Sequence, residues 1–555
     1  MDRNKYTELS LNLLDDETNY IKLDKDPSNV YQSRANDIIS KLKKEGKISK
    51  EVASSLTFYK GIPAKFYGLP KVHKENLALR PIIASMNCSN VKIAEFVENI
   101  LTLSYNKNND YYISDSFQFS DFINNKVIPD GYRLISWDVV SLFTNITLKL
   151  TLKCIDIYWT DIEPNCCVSK RELIDLITFV FDSTVFTFEG QIYKQKETTP
   201  MGSVISPIIA QFVVDMILDD SLKKMPFQVP FCKKFMDDII TAIPEDQSQS
   251  ALDILNGFDS RIQFTAELET DCSVPFLDTR VIRRGTMLLT DWYRKPMSSG
   301  RYIHFLSYHP FRMKVNIIRN LKTRVTRISH PSLRDNNLKI LEELLLKNGY
   351  PKRTLRRMLY NTSNIVASQD APQVEEPTND NNNKIFITLP YCEGLSNRIS
   401  TLLPRDMINV AFKNVKPIKR LFTNIKDKDH ILDLSDVVYL IPCENCDSIY
   451  IGQTSTKLRQ RISLHKSNIK LRREMCALTR HSNSLGHLPD FENIKILDVE
   501  RNYKKRSFLE MVRIRQWPNT MNSKRDIENL SSIYANLIDI DNDILIKRHD
   551  AQVTD

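Results

Sequence analysis

The sequence predicts a multidomain protein in which α/β and α+β units succeed one another along one chain. Three observations predict it. At 555 residues the chain exceeds what one hydrophobic core usually organises. Residues 362–384, TSNIVASQDAPQVEEPTNDNNNK, are rich in Asn, Asp and Pro with little to bury, and read as a flexible linker. On both sides of that stretch, helical and strand periodicities alternate, which is the pattern of mixed architecture.

Composition narrows the class. Hydrophobic residues make up 42% and charged residues 26%, an ordinary globular balance that speaks against a fibrous or disordered chain. Lys and Arg number 77 against 68 Asp and Glu, a net charge of +9 that permits a polyanionic partner without demanding one. The ten cysteines are few for this length and mostly scattered, which suggests a reducing compartment. Met1 is followed at once by DRNKYTE, with no signal-peptide pattern. No apolar run approaches the ~18 residues of a membrane span, so no membrane partner is expected. The 13 glycines are sparse, and each is expected to answer a backbone need.

In chain order, KFYGLPKVHKENLALRPIIAS (65–85) mixes aromatics with Lys71, His73, Lys74 and Arg80. Arg80, just before a Pro-Ile-Ile strand, is suited to hold a triphosphate by charge-assisted bonds, although such a stretch is equally at home as a solvated basic loop. RLISWDVVSLFTNI (133–146) has the β-branched content of a strand and sets Asp138 among Leu134, Ile135, Trp137, Val139 and Val140. TTPMGSVISPIIAQF (198–212) reads as a Pro-Met-Gly turn opening a helix, where Gly202 would let a flat base pair approach the backbone. FCKKFMDDII (231–240) places Asp237 and Asp238 side by side in an apolar run that reads as a buried strand or hairpin. Unpaired charges there would cost several kcal/mol, on the order of other burial penalties. A shared hard cation such as Mg2+ explains acids on two such strands, because it takes carboxylate oxygens and keeps phosphates as further ligands. Two such ions can clamp the attacking and leaving oxygens of a phosphoryl transfer.

The order of these motifs resembles that of reverse transcriptases, and VPFLDTRVIRRG with DWYRKP (274–296) is similar to the segment after the double acid in the Penelope-like retroelements. The likeness spans most of 55–360. It implies a right-hand reverse transcriptase: an N-terminal extension over 1–54, fingers and palm over 55–300, and a mainly helical thumb over 301–361. By resemblance, Asp138 and Asp237 bind the catalytic Mg2+ (or Mn2+), with Asp238 adjacent. Phe143, five residues after Asp138, matches the position that screens the sugar 2′-OH, and Val139 of the same motif matches a nucleotide-binding position. Lys71 and Arg80 match residues near the incoming nucleotide, and Gly202 and Ser206 lie in the motif supporting the templating pair. Tyr293, Arg294 and Lys295 resemble a primer-contacting hairpin. Relatives carry a basic stretch before the part resembling MDRNKYTEL, so a truncated or internally initiated form is expected.

After the linker come a connector (385–435), a compact unit (436–540) and a tail (541–555). The connector's KNVKPIKRLF reads equally as a nucleic-acid contact or as a solvated basic face. VVYLIPCENCDSIYIG (437–452) reads as two Tyr-bearing apolar strands around a short loop. TKLRQRISLH (456–465) reads as a helix with Arg461 and His465 on one face. KRSFLEMVRIRQW (505–517) reads as an amphipathic helix carrying Glu510. This set resembles the GIY-YIG nucleases. The first triplet is degenerate, Val437-Val438-Tyr439, whereas Tyr450-Ile451-Gly452 is intact. Carried over, Tyr439 orients or deprotonates water with help from Tyr450, Arg461 stabilises phosphate charge, and Glu510 binds a single divalent metal. His465 joins that set, and Asn522 matches a downstream polar position. Cys443-x2-Cys446 followed by His481 and His487 suits tetrahedral Zn2+, with Cys476 a spare thiol; the same combination is a feature of the Penelope-like nuclease domain.

The resemblance as a whole implies a retrotransposon protein that nicks target DNA and extends the exposed 3′-OH with dNTPs along an RNA template, its own transcript, in the nucleus. Two other readings stand beside it. One is a telomerase-like polymerase whose C-terminal domain only binds DNA, for which the degenerate Val437-Val438 leaves room. The other is a domesticated, non-catalytic RNA-binding protein, against which the three aspartates argue.

Overall fold

The computed structural model describes residues 2–71, 77–360, 384–404, 406–414, 421–422 and 425–553. His73 and Lys74, the linker through residue 383, and much of KNVKPIKRLF lie outside these residues.

The first sheet gathers distant stretches of chain. Its strands are β1 (Tyr20–Leu23), β2 (Ala64–Lys71) and β3 (Ala78–Ala84), joined much later by others. β4 (Tyr132–Val139) belongs to a second sheet. The hairpin β5 (Val185–Phe188) and β6 (Gln191–Gln195) completes the first, in the order β1-β6-β5-β2-β3. Phe66, Phe186 and Phe188 fill its core with Tyr6, Tyr20 and Tyr193. The N-terminal 54 residues are therefore not an appendage. β1 pairs with β6, the Tyr6 hydroxyl accepts a hydrogen bond from the Gly68 amide at 2.8 Å, and the helix Ser28–Lys44 packs into the main core.

The second sheet adds β7 (Cys232–Phe235), β8 (Asp238–Pro244) and β9 (Phe264–Leu268) in the antiparallel order β7-β8-β4-β9. Period-two alternation sends Ile135, Trp137 and Val139 of β4 into the helical core and Leu134 into a smaller one on the opposite face. The helix Ser206–Lys224 lies in the larger core and is apolar nearly all round, as a helix enclosed on every side should be. The smaller core is closed by β10 (Ser273–Phe276), β11 (Thr279–Arg284) and β12 (Met287–Trp292). Three helices come next, Phe311–Ile328, Arg334–Lys347 and Lys352–Tyr360, and bury a leucine-rich cluster against Trp292.

Residues 385–435 hold more structure than a connector. β13 (Ile385–Pro390) and β14 (Ile408–Lys413) pair in parallel across the helix Leu395–Leu402. The C-terminal sheet has the order β16-β15-β17, from β15 (Val437–Pro442), β16 (Ile449–Thr454) and β17 (Lys495–Val499). It is covered on both faces. Val437, Tyr439 and Ile441 face the helix Leu458–Lys470, while Val438 and Ile451 face Ile514 of the helix Tyr503–Gln516. Larger aliphatics at 437 and 438 fit because each has a core to enter. The expected tail at 541–555 is instead continuous with the helix Ser532–Val553, which the Arg515–Asp539 ion pair ties to the helix before it.

The C-terminal unit also touches the first half of the chain. Lys60 pairs with Asp436 at 2.7 Å, Lys65 with Asp429 at 2.9 Å, and Lys457 donates to the Gly61 carbonyl at 2.6 Å. The expectation of two bodies joined by a flexible linker alone is corrected accordingly.

Candidate active sites

The first site lies where β4, β7 and β8 end together. Asp138 and Asp238 are direct cross-strand partners on one face, and the Val139 amide donates to the Asp237 carbonyl at 3.4 Å. Directly opposed residues have Cβ atoms roughly 4.5–5.5 Å apart, and like charges there repel. The apolar run predicts buried acids, but they are not buried. Phe235 pairs with Asp238 across the two-residue turn Met236–Asp237, with Met236 at φ 60°, and that turn lifts the carboxylates to the surface. Partial desolvation, and after it repulsion from Asp237 and Asp138, pushes Asp238 up to about 6, and Lys295 offsets this. Converging carboxylates at an open strand end, with no burial to keep a cation out, fit one or two hard divalent ions.

The surrounding residues divide. Lys295 is exposed and its charge reaches Asp238, whereas Arg294 lies over the Trp292 ring and Tyr293 is half-buried. Phe143 is half-buried in the short helix Leu142–Asn145 after Asp138, while Val139 has its side chain in the core and cannot offer it to a nucleotide. Lys71 and the exposed Arg80 stand on neighbouring strands, β2 and β3. Gly202 answers a different need from the one expected. At φ 119° a Cβ would meet the Ile83 carbonyl oxygen, so the close approach is to β3. Ser206 is buried, its hydroxyl donates to the Pro200 carbonyl and it also bonds the Thr199 hydroxyl; it braces the turn and is not a nucleotide contact.

Sequence reasoning missed the support beneath the turn. Lys234, fully buried, pairs with Asp215 at 2.8 Å and donates to the Gln211 side chain at 2.6 Å, while Gln211 donates to the Met236 sulfur at 2.9 Å. Each ion offsets the other's desolvation. The signal was present, since Lys234 shares its strand face with buried Cys232 and Asp215 stands alone in QFVVDMIL.

The second site is built inward. The Tyr439 hydroxyl lies 2.8 Å from His465 Nε2 and accepts from Arg461 Nε at 3.2 Å. His465 Nδ1 lies 3.7 Å from the Cys476 thiol. Burial, then the Arg461 charge, pushes His465 down to about 3, so it is neutral and accepts the Tyr439 proton at Nε2. Burial pushes Tyr439 up to about 12. Both side chains are sealed from solvent, which corrects their expected place at the reacting water; they stand behind Tyr450, whose ring lines the cleft. That cleft, about 270 Å3, is also lined by Glu510, Asn522, Asp526 and Arg480. Burial pushes Glu510 up to about 7, against a hydrogen bond with Gln453 and with Asp526 adding repulsion; a carboxyl so placed fits a single divalent cation. Asn522 accepts from the Ile451 amide and donates to its carbonyl, both at 2.9 Å, so it clamps β16. Gly452 is required because a Cβ would meet the Tyr450 ring at 2.8 Å and the Tyr439 hydroxyl at 2.9 Å.

Beyond that cleft, one ligand atom each of Cys443, Cys446, His481 and His487 lies within 4.8 Å of the others. His487 Nδ1 approaches His481 Nε2 at 3.2 Å. Two sulfurs and two imidazoles so close are a donor set that fits Zn2+. Cys476 belongs to the nuclease-like cleft instead.

Known family models match three stretches of this chain. Residues 72–268 match the family Reverse transcriptase (RNA-dependent DNA polymerase), 436–508 the GIY-YIG catalytic domain, and 301–358 the Animal helix-turn-helix domain. No curated protein matches. Among solved structures, the apo telomerase of Candida tropicalis truncated from its C-terminal domain is similar at 11% identity over 52% of this chain and 60% of its own, with a TM-score of 0.34. The BmCPV RNA-dependent RNA polymerase at elongation is similar at 14% identity over 64% and 31%, with a TM-score of 0.36. This chain thus spans less than two thirds of either. The chain carries a reverse transcriptase domain followed by a GIY-YIG catalytic domain. These are the domain classes of an RNA-directed DNA polymerase and of a nuclease.

Proposed function

We propose that this is a retrotransposon protein of the Penelope-like kind, which nicks target DNA and extends the new 3′-OH by RNA-templated synthesis in the nucleus. The observation that carries it is two acid-bearing sites of different design in one chain, the opposed acids of β4 and β8 and the Tyr450–Glu510 cleft, each within a domain whose class fits phosphoryl transfer. At the first, Asp138 and Asp237 would hold Mg2+ or Mn2+, which when bound polarises phosphate oxygens and lowers the pKa of the attacking hydroxyl. Phe143 would pack under the incoming sugar, Arg80 and Lys71 would draw the triphosphate, and Lys295 would meet the primer. The right-hand reading makes the acidic sheet the palm, the first sheet the fingers and the helices over 311–360 the thumb.

At the second site Glu510 would hold a divalent cation, Arg461 would face the phosphate's developing charge, and Tyr450 would orient water in the cleft. Tyr439 enters as a phenol with its proton directed to His465. Zn2+ on Cys443, Cys446, His481 and His487 would brace the loop between the two tyrosine strands. Partners are template RNA, target DNA and dNTPs.

The test incubates the protein with its RNA, supercoiled DNA, dNTPs and Mg2+. DNA copied from RNA and covalently joined to a nicked target is expected. Nicking and extension that never join on one molecule would overturn target priming.

A further inference from the structure

Three tethers bind the C-terminal unit to the segment around Lys60 and to its own sheet, and each stands about one turn or less before a residue of the nuclease site. Asp436 precedes β15 and Tyr439; its carboxylate takes Lys60 Nζ on both oxygens, at 2.7 and 2.8 Å. Arg506 lies one turn before Glu510, is buried, and donates to the same Asp436 carboxylate at 3.0 Å and to Gln453 at 2.7 Å. Lys457 is buried one turn before Arg461 and donates across to the Gly61 carbonyl. Gly61 is itself held, its amide donating to Gln32 at 3.1 Å. Asp436 sits at φ 59°, a conformation that Asp tolerates when its surroundings fix it.

We infer that the Lys60–Gly61 segment of the polymerase half is a positioning platform for the nuclease site, setting Tyr439, Arg461 and Glu510 through Asp436, Lys457 and Arg506. It rests on reading the Tyr450–Glu510 cleft as the nicking site. The physical reason is shared charge. Asp436 answers two cations, one from each half of the chain, and Lys457 has its ammonium against a backbone carbonyl of the other half. Undocking leaves Asp436 with one cation in place of two and moves the starts of the three elements that converge on the cleft. Misplacements of about 1 Å at such a site can cost ~100-fold in rate. Nicking is thereby tied to a docked polymerase, so the cut end is made beside the domain that extends it.

The experiment uses the full chain with Mg2+ and measures nicking of supercoiled DNA alongside extension of an annealed primer. Lys60→Met is expected to lower the nicking kcat ~10- to 100-fold with KM for DNA little changed and extension intact, and Lys60→Arg to restore most of it. Nicking by Lys60→Met equal to wild type, or a loss confined to KM, would overturn the platform. A wild type that extends primers but never nicks overturns the nuclease reading itself. Should Lys60→Met also lose extension, Lys457→Gln, altered on the nuclease side of the same contact, decides by the same kcat criterion.

Discussion

The two candidate sites solve opposite problems. At the β4–β8 end the carboxylates are exposed and face one another, with repulsion left for a ligand to relieve. In the C-terminal unit Tyr439 and His465 are sealed from water and bonded to half-buried Arg461 and Cys476, while Tyr450, Glu510 and Cys476 line the cleft. The first site is completed by what binds it; the second is arranged before anything binds. Substitutions should therefore act locally at the first and spread through packing at the second.

The largest effect should come from removing each proposed metal ligand. Asp237→Ala should lower DNA synthesis by ~10³-fold or more, on the scale of several kcal/mol of charge stabilisation, and leave nicking intact; Glu510→Ala should do the reverse. Loss of both activities in a folded Asp237→Ala sample would merge the two sites. Next is the Cys/His cluster. Elemental analysis should find about one zinc per chain, and Cys446→Ser or His487→Ala should lower it, loosen the C-terminal unit and cut nicking while extension survives. Zinc-free wild-type protein, purified without chelator, would return Cys443 and Cys446 to ordinary loop thiols.

A smaller change is expected at Phe143. Trimming it to Ala opens space beneath the sugar, so ribonucleotide incorporation should rise ~10-fold or more relative to deoxynucleotide, since discrimination of this kind spans roughly 1–3 kcal/mol. Unchanged selectivity in an active variant would remove Phe143 from the gate. The mildest test concerns pH. His465 titrates near 3 in the fold but in its ordinary range when unfolded, so below about 6 the unfolded chain binds the extra proton. Stability of the C-terminal unit should fall with pH by at most ~1.4 kcal/mol per unit from this group. Melting temperatures between about pH 7 and 5 would show it, and His465→Gln should flatten that slope; a slope unaffected by the substitution assigns it to other groups.

The same contrast separates what was legible in the sequence from what was not. Acids isolated in apolar strands announced Asp138, Asp237 and Asp238, and four-residue spacing put Arg461 and His465 on one face. What the strings could not carry was depth. Apolar neighbours suggested buried acids, yet a two-residue turn with Met236 at positive φ brings them out. Tyr439 and His465 look like reacting groups by position, yet strands and helix seal them in. Ser206 reads as a motif serine until Thr199 and Pro200 close on its hydroxyl. The pairing of Lys60 with Asp436 spans 376 positions, beyond the reach of any local pattern.

The edge strand β1 has a consequence for how the protein is made. Tyr20–Leu23 find their partners only at Ile192–Gln195, so a nascent chain carries β1 unpaired until that hairpin has been translated and released. At ordinary elongation rates the wait is roughly 10–30 s, during which an unpaired strand and its aromatic neighbours are open to other chains. Faster synthesis or chaperone cover over that interval should raise the soluble yield of the protein more than stabilising substitutions made later in the sequence.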